Sequence, residues 1–496
     1  MVIRYLLIII YLFMLSPSYA ADYHYTYSPL CQKAYNHYMS LQFAEGNSAI
    51  KAEMKADPGN LMAVYISNYA DCMLLLFNGD EQDYDKLYYH LEQRARMMDK
   101  CRDGTPWYRL CKAGLYMQWA FIHIRMGENF KAAANFRKSY LLLKENKKRY
   151  PAFAYNDIFF GLEEAVVGTV PDDYRWIASV FGLKGDVKKG IAKINQFVAT
   201  HTFTDPLYYD ALIYQTYLKF YLVSQQEQVW QFVNSSSFPA KDNLLFSFIK
   251  TNIAINYRRA DVASGTITQM RAMPGYRYIP AFEYEAGSAL YYKLDAAAIT
   301  QLQYFVKNYK GRLFVKDALY KIAQLYYLKG NMAAARQYLA MIPDAGNTQV
   351  DADKRAKRFA ETGQWPVQAL LKATILIDGG YYNEAQEMLL QSTEGSFATQ
   401  PEKAEYNLRL GRVYDEKGMD DKALALYSRC IAIGKDAKEY FAARAALQSG
   451  FIYEKRGQAQ QAIAAYTQCL SMPVQDYRNA LRQQAKAGIN RLGGSY

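Results

Sequence analysis

Histidines, cysteines and neighbouring acids are the side chains that could do chemistry here, and their spacing works against it. The five histidines are His24, His37, His90, His123 and His201. No two stand three or four apart, the spacing that aims two imidazoles on one helix face at a metal. His123 falls where a helix packs on its neighbour, which makes it a core histidine. Glu163/Glu164 and Asp172/Asp173 are adjacent pairs, and adjacent side chains on a helix diverge instead of sharing one proton. The chain has no HExxH, no GxSxG and no Walker-type phosphate loop. "FGLKGDVKKG" (181–190) has the glycines and lysines of an anion cradle, yet no strand precedes it and no hydroxyl follows a lysine. It reads as a turn between helices. The expectation is no catalytic residue, no metal and no cofactor.

What is left is surface, and the residue in excess is tyrosine, with 46 copies against 24 Phe and 5 Trp. A tyrosine ring packs like an apolar group while its hydroxyl stays wet, which suits both helix seams and aromatic binding faces. Which use applies depends on the elements that carry the rings.

Those elements repeat. "GRVYDEKGMDDKALALYSRC" (411–430) returns as "GFIYEKRGQAQQAIAAYTQC" (450–469), at a spacing of 39. The identities are Gly411/Gly450, Tyr414/Tyr453, Gly418/Gly457, Ala423/Ala462, Tyr427/Tyr466 and Cys430/Cys469. Small residues and aromatics recur while charges drift, as expected if only the former touch a neighbouring helix. Gly411 and Tyr414 share one helical face, Gly418 ends the helix, and Ala423, Tyr427 and Cys430 follow at i, i+4, i+7. Weaker copies run through 365–392, 316–343, 280–309 and the stretch "WAFIHIRMGENFKAAANFRKS". No alternating β-branched runs accumulate, so almost no strand is expected.

This pattern resembles the tetratricopeptide repeat, whose usual period is 34. "VFGLKGDVKKGI", "KGRLFVKDALYKIAQLYYLKGN", "DADKRAKRFA", "LLKATILIDGGYYNEAQEML" and "LRLGRVYD" follow in order. Together they resemble the eukaryotic inclusion-body-clearance family of tetratricopeptide proteins and similar bacterial ones, over about residues 110–490. The resemblance implies an all-helical adaptor without a catalytic centre. The fold expected is all-α, a helical-hairpin solenoid wound as a right-handed superhelix. Its parts are a signal peptide (1–20), degenerate N-terminal repeats (21–150), an irregular helical middle (151–279) and a C-terminal repeat array (280–496). First helices of stacked repeats line the concave side. The register then faces Tyr284, Tyr291, Tyr320, Gln324 and Tyr327 inward, followed by Arg412, Asp415, Arg444, Phe451 and Glu454. Gly411, Tyr414, Ala423, Tyr427, Gly450, Tyr453, Ala462 and Tyr466 are the packing positions.

"MVIR", the apolar "YLLIIIYLFML" and the exit "SPSYA" read as an export signal cleaved after Ala20. That places the mature chain in the periplasm, with secretion or envelope association as alternatives. No later stretch has the roughly 20 apolar residues of a membrane span. Cleavage removes Arg4, so the formal charge falls by one, from +12 to +11. Its Lys and Arg are scattered except at "KENKKRYP" (144–151), which excludes a nucleic-acid groove more readily than an anionic surface. Cys101 and Cys111 flank a turn and could bridge, as could Cys31 and Cys72. Cys430 and Cys469 are repeat equivalents, which stand too far apart for a disulfide.

The function expected is a non-enzymatic, exported scaffold that binds protein or peptide partners on its concave face. The alternative is a glycan-binding outer-surface protein using the tyrosines as a platform. A catalytic helical toroid, third, would need a deep pocket with two carboxylates at its base.

Overall fold

Helical hairpins follow one another through the computed structural model, which describes residues 22–101, 104–168, 185–223, 225–475 and 477–494. The chain is all-α, 74% helical, and a single bridge between His24 and Asn60 is the one β pairing among the described residues. The export segment with its cleavage point, the Asp172/Asp173 pair and positions 181–184 lie outside them. Two units emerge, Met1–Phe232 and Val233–Tyr496. The stretch 151–279, expected as one middle segment, is thus divided between them.

The first unit holds α1 (Pro29–Tyr38), α2 (Phe43–Ala56), α3 (Leu61–Asn78), α4 (Glu81–Leu87), α5 (Tyr89–Met98), α6 (Pro106–Arg125), α7 (Asn129–Arg149), α8 (Asn156–Val167), α9 (Val187–Thr200) and α10 (Tyr208–Tyr221). A further helix, α11 (Gln226–Val233), reaches the boundary. Local chemistry sets the starts. Thr105 accepts the Trp107 N–H just ahead of Pro106, and Asn60 accepts the Met62 N–H ahead of α3, each filling an orphan donor of a first turn.

By length and composition α3 could cross a membrane, but most of it is buried within the unit. Its polar groups are tied into the core. Asn68 donates to Gln118 at 2.7 Å and accepts from the Trp119 indole at 3.0 Å. Tyr69 donates to Asp210 at 2.8 Å, as does Tyr35 of α1, and Tyr214 adds a third hydroxyl at 3.3 Å. Asp210 thereby pins α10 to α1 and α3. Burial pushes its carboxyl up to about 6, against the pull of the three hydroxyls.

His123 is a core residue as expected, accepting or donating to Tyr84 at 3.0 Å. Burial, with help from Lys131, holds its pKa down to about 4. All six cysteines are free. Neither bridge considered from the sequence forms: Cys111 is sealed inside α6, Cys101 lies on the turn before it, and Cys31 and Cys72 are packed separately in the core.

The second unit runs α12 (Leu244–Asn256), α13 (Ala260–Met270), α14 (Ala281–Tyr292), α15 (Ala297–Asn308), α16 (Val315–Leu328), α17 (Met332–Met341), α18 (Asp351–Thr362), α19 (Gln368–Gly379), α20 (Tyr382–Leu389), α21 (Gln400–Glu416), α22 (Asp420–Gly434), α23 (Phe441–Lys455), α24 (Ala459–Ser471) and α25 (Arg478–Arg491). Thr399 and Glu402 form a capping box around Pro401 at the start of α21. Gly418 and Gly457 end the inner helices of the last two pairs at φ +71° and +72°, a left-handed conformation glycine adopts without a Cβ clash.

The seams are aromatic rings laid on glycine. A Cβ on Gly411 would meet the Tyr427 ring at 2.8 Å, and one on Gly450 would meet Tyr466 at 2.3 Å. Tyr427, Tyr466, Ala423 and Ala462 are fully buried, whereas Tyr414 and Tyr453 are half-buried. The array is not one uninterrupted stack, however. Between α17 and α19 stands the single helix α18, and the hairpin α19/α20 turns back onto the earlier repeats. Gly379 lies under Tyr292, and Gly380 under the Arg258 carbonyl.

Two outcomes follow. Because unfolded aspartate titrates near 3.8 and Asp210 near 6, the folded chain keeps a proton that the unfolded chain has released between those values. Its contribution is fully present below pH 4 and lost as pH rises through 6, an effect of about 3 kcal/mol. Asp210→Asn should gain stability on the wild type by that amount between pH 4 and 7 in urea titrations; a gap that stays constant would place the titration elsewhere. Ala423→Leu and Ala462→Leu should each cost about 1–3 kcal/mol by overpacking a seam, while the exposed Lys438→Leu should leave the melting temperature nearly unchanged. Equal shifts would mean the seams are misassigned.

Candidate functional site

The tyrosines expected to line a binding face are largely used inside the fold. Tyr284 donates to Asp317 at 2.8 Å and receives the Lys321 ammonium at 3.1 Å, while its ring stacks on Phe314. Lys321 and Asp317 are themselves an ion pair on α16. Tyr291 donates to Gln324 at 2.6 Å, and both are buried. These positions therefore hold α14 to α16 and are not offered to a partner.

Tyr320 and Tyr327 do sit on the inner face of α16, but α18 and the segment after it cover them. Phe359 packs on Tyr320 with ring centroids 4.7 Å apart. Trp365 stacks on Tyr327 at 4.5 Å, and the Tyr327 hydroxyl donates to the Pro366 carbonyl at 2.8 Å. The sequence of α18 explains the docking, since Asp353, Ala356 and Ala360 share one face and its lysines and arginines the other. Asp353 is fully buried and accepts the Phe314 and Asp317 amides at 2.7 and 3.0 Å. Phe314 stands at φ +65° and offers no side-chain cap of its own, so a carboxylate from another helix caps α16.

The second half of the expected face divides the same way. Asp415 accepts the Tyr427 hydroxyl at 3.0 Å. Its repeat equivalent Glu454 accepts Tyr466 and pairs with Arg491 at 2.8 Å. Phe451 packs edge-on against Tyr466. Arg412 reaches Glu416 at 3.4 Å and Asp378 at 3.8 Å. Arg444 is the one charged residue of the ten with no side-chain hydrogen bond or ion pair among the described residues. Its charge is set by burial and by the like charge of Arg412, both pressing its pKa down.

Around Arg444 the structure gathers groups that the repeat register did not indicate. Tyr440, one turn before it, receives Arg409 at 3.0 Å, and Tyr477 crosses Tyr440 edge-on at 4.9 Å. Arg358 of α18 lies 5.9 Å from the Tyr477 ring centre. Arg355, on the same face of α18, is exposed. Its guanidinium is acted on by Asp317, Tyr477, Tyr292 and Asp378, from four different elements, yet it forms no ion pair or hydrogen bond among the described residues. Side chains of α14, α16, α18, α19, α21 and α23 thus stand within electrostatic reach of one another. The cations there are Arg258, Arg355, Arg358, Arg409, Arg412 and Arg444, and the acids acting on them include Asp317, Asp378, Glu405 and Glu416. Glu405 is taken by Arg409 at 2.6 Å, and Glu416 by Arg258 and Arg412. Arg355 and Arg444 are the charges left to receive something.

The arrangement is one of arginine cations and tyrosine rings. Its carboxylates are paired with cations, and no group of three or more His, Cys, Asp or Glu among the described residues could hold a metal. The signal the sequence reading missed was "DADKRAKRFA" itself, a helix whose apolar stripe is too narrow for a repeat and whose arginines had to face somewhere wet.

Comparison with known proteins identifies repeat segments in the second unit. A tetratricopeptide repeat model matches residues 317–344 and 405–433, and a second such model matches 443–473. These spans are α16/α17, α21/α22 and α23/α24, so the matched repeats flank α18. No curated protein matches the chain. Among solved structures, similarity is found to the P58(IPK) tetratricopeptide domain, 12% identical over 82% of this chain and 95% of that one, with a TM-score of 0.22. The Naa15/Naa10 complex bound to HypK is 14% identical, covering 93% of this chain and 65% of that one, at 0.21. The Cut9–Hcn1 hetero-tetramer of the APC/C is 12% identical, covering 93% and 95%, at 0.21.

If Asp353 holds α18 in place, Asp353→Ala should lower stability by about 0.5–2 kcal/mol, the range of a lost helix cap. Trypsin should then cut faster at Lys354 to Arg358. An unchanged digestion pattern would show that α18 is fixed by its aromatic contacts alone.

Proposed function

We propose that this tetratricopeptide-repeat chain is a non-enzymatic scaffold, exported after cleavage at Ala20, whose C-terminal unit holds a protein or peptide segment. The segment lies against Tyr440 and Tyr477, with its acidic or carbonyl oxygens on Arg355 and Arg444. The observation that carries this reading is the pair of uncommitted guanidiniums beside one set of tyrosine rings. A guanidinium is weakly hydrated and offers a planar fork of donors, and a ring with a polar tip is an effective anchor once covered. Paired charges on the same walls fix the geometry without competing for the guest. The repeat fold supports a protein partner over nucleic acid, and the paired carboxylates give no acid–base couple for catalysis. Membrane attachment by a second span is not part of the reading, because α3 is a core helix.

The glycan reading has a weaker foothold. A cleft of about 310 Å³ is lined by Arg271, Tyr276, Glu283 and Tyr304, with Tyr278 exposed beside it. Its one charged pair is already engaged, Arg271 with Glu283 at 3.0 Å, and Arg271 also donates to Gln301 at 3.0 Å.

Affinity capture from envelope fractions tests the proposal. The charge reversals Arg355→Glu and Arg444→Glu together should abolish recovery of the partners held by the wild type, with helical circular dichroism unchanged. The captured chain should begin at Ala21. Equal recovery by the double variant would move the site elsewhere, and an intact N-terminus would end the export assignment.

A further inference from the structure

In the first unit, α4 and α5 bury one face, made by Tyr84, Leu91, Ala95 and Met98. On the far side a shallow groove of about 750 Å³ runs from Asp85 to Lys100, about 22 Å along the helix. Tyr88 keeps helical backbone angles between the two segments, so the groove follows one nearly continuous helix. Tyr89 is 62% exposed within it, and Asp85, Glu92, Gln93, Arg96 and Lys100 are exposed as well.

The fold makes little use of these groups. Asp85 and Gln93 form no side-chain hydrogen bond or ion pair among the described residues, and the Tyr89 ring meets that of its sequence neighbour His90. Arg96 donates to the Glu92 carbonyl of its own helix at 3.3 Å, and Lys100 donates to the Tyr23 hydroxyl at 2.8 Å. Glu92 reaches Lys138 at 4.0 Å. Of these contacts, that long one alone joins opposite charges.

Charge is sorted along the groove, with Asp85 and Glu92 in its N-terminal half and Arg96 and Lys100 in its C-terminal half. The helix dipole favours that order within one chain, but it does not account for what lies between. Lay the same helix antiparallel on the groove, about a two-fold axis passing between Glu92 and Gln93. Positions equally far from the axis then meet: Asp85 with Lys100, Tyr88 with Met97, Tyr89 with Arg96, and Glu92 with Gln93. These are an ion pair, a sulfur–aromatic contact, a cation–π contact and a carboxylate–amide hydrogen bond, each made twice. All eight lining residues find a complement, and like charges do not oppose each other.

We infer that this groove is a self-association surface, through which two copies of the chain pair antiparallel about a two-fold axis. A foreign helix would have to carry the same four partners in reverse order, which the chain itself already does. A standard interface buries about 1,600 Å² in total, more than one helix face of this length supplies. The pair is therefore reversible and set by concentration. It uses residues of the first unit alone and does not rest on the guest proposed for the second. A dimer carries two guest sites, which favours a partner that repeats its segment.

Sedimentation velocity on the full chain, from low micromolar to sub-millimolar concentration, tests this. The wild type should pass from monomer to dimer across that range. Asp85→Lys sets lysine against Lys100 of the second copy, and Lys100→Asp sets aspartate against its Asp85. Each variant alone should associate about tenfold more weakly. Mixed in equal amounts, the two should recover dimer, because each then meets the opposite charge on the other. Mixing would not rescue a variant that had merely lost its fold. The inference is overturned if the wild type stays monomeric throughout, if both variants dimerise as the wild type does, or if the mixture associates no better than its parts.

Discussion

An aromatic ring pressed flat onto a glycine is the contact on which the C-terminal unit depends. Tyr427 lies on Gly411, and Tyr466 is held between Gly450 on one side and Gly488 on the other. No larger residue fits at those glycines without moving a ring, and a smaller residue in place of the ring would leave a void that close-packed interiors penalise. The contact has a second end as well. Each ring places its hydroxyl on the carboxylate of the next-to-last residue of the inner helix, Asp415 for Tyr427 and Glu454 for Tyr466. Ring and hydroxyl together fix both the separation of the two helices and their sliding along each other. The inner helices are thereby held rigidly enough for their remaining side chains to act as a surface.

Rigidity of this kind explains why α18 matters. In a regular array the inner helix of each pair packs on the pair before it. Residues 342–367 break that rule, and α18 is fastened by means of its own: a carboxylate cap on α16, two alanines in the core and an aromatic cluster with Trp365. The result is that the later repeats fold back toward the earlier ones, so inner faces that a plain solenoid would spread along a groove are brought to look at each other. Arg355 meets the influence of Asp378 and Tyr477 only because of this turn.

Much of the fold was legible because its determinants are local. Glycine after a helix, alanine at a crossing and a ring four residues on are each visible in a single window of sequence, and they recur at 39 in 411–469. The site was far less so. Tyr284, Tyr291, Tyr320 and Tyr327 lie on inner helices as the register requires, yet their partners Asp317, Gln324, Phe359 and Trp365 come from neighbouring elements that no spacing rule connects. Asp415 and Glu454 show the same limit in reverse. One is aspartate and the other glutamate, so they looked like drifting charge, although both accept a hydroxyl from the repeated tyrosine. What the reading lacked was a reason to treat an acid near a helix end as the partner of a ring twelve residues later.

The abundance of tyrosine acquires one physical meaning from both units. In the first, Tyr35, Tyr69 and Tyr214 point their hydroxyls at the buried carboxylate of Asp210. In the second, Tyr427, Tyr466 and Tyr284 do the same to Asp415, Glu454 and Asp317. Phenylalanine would fill those seams equally well but would leave Asp210 and Asp415 without these hydroxyl donors, and a buried acceptor without a donor costs more than the bond itself is worth. An acid without its tyrosine would in turn need a cation. The tyrosines thus free guanidiniums from internal duty, and a helical scaffold that satisfies its acids with phenols can keep Arg355 and Arg444 unpaired for a guest.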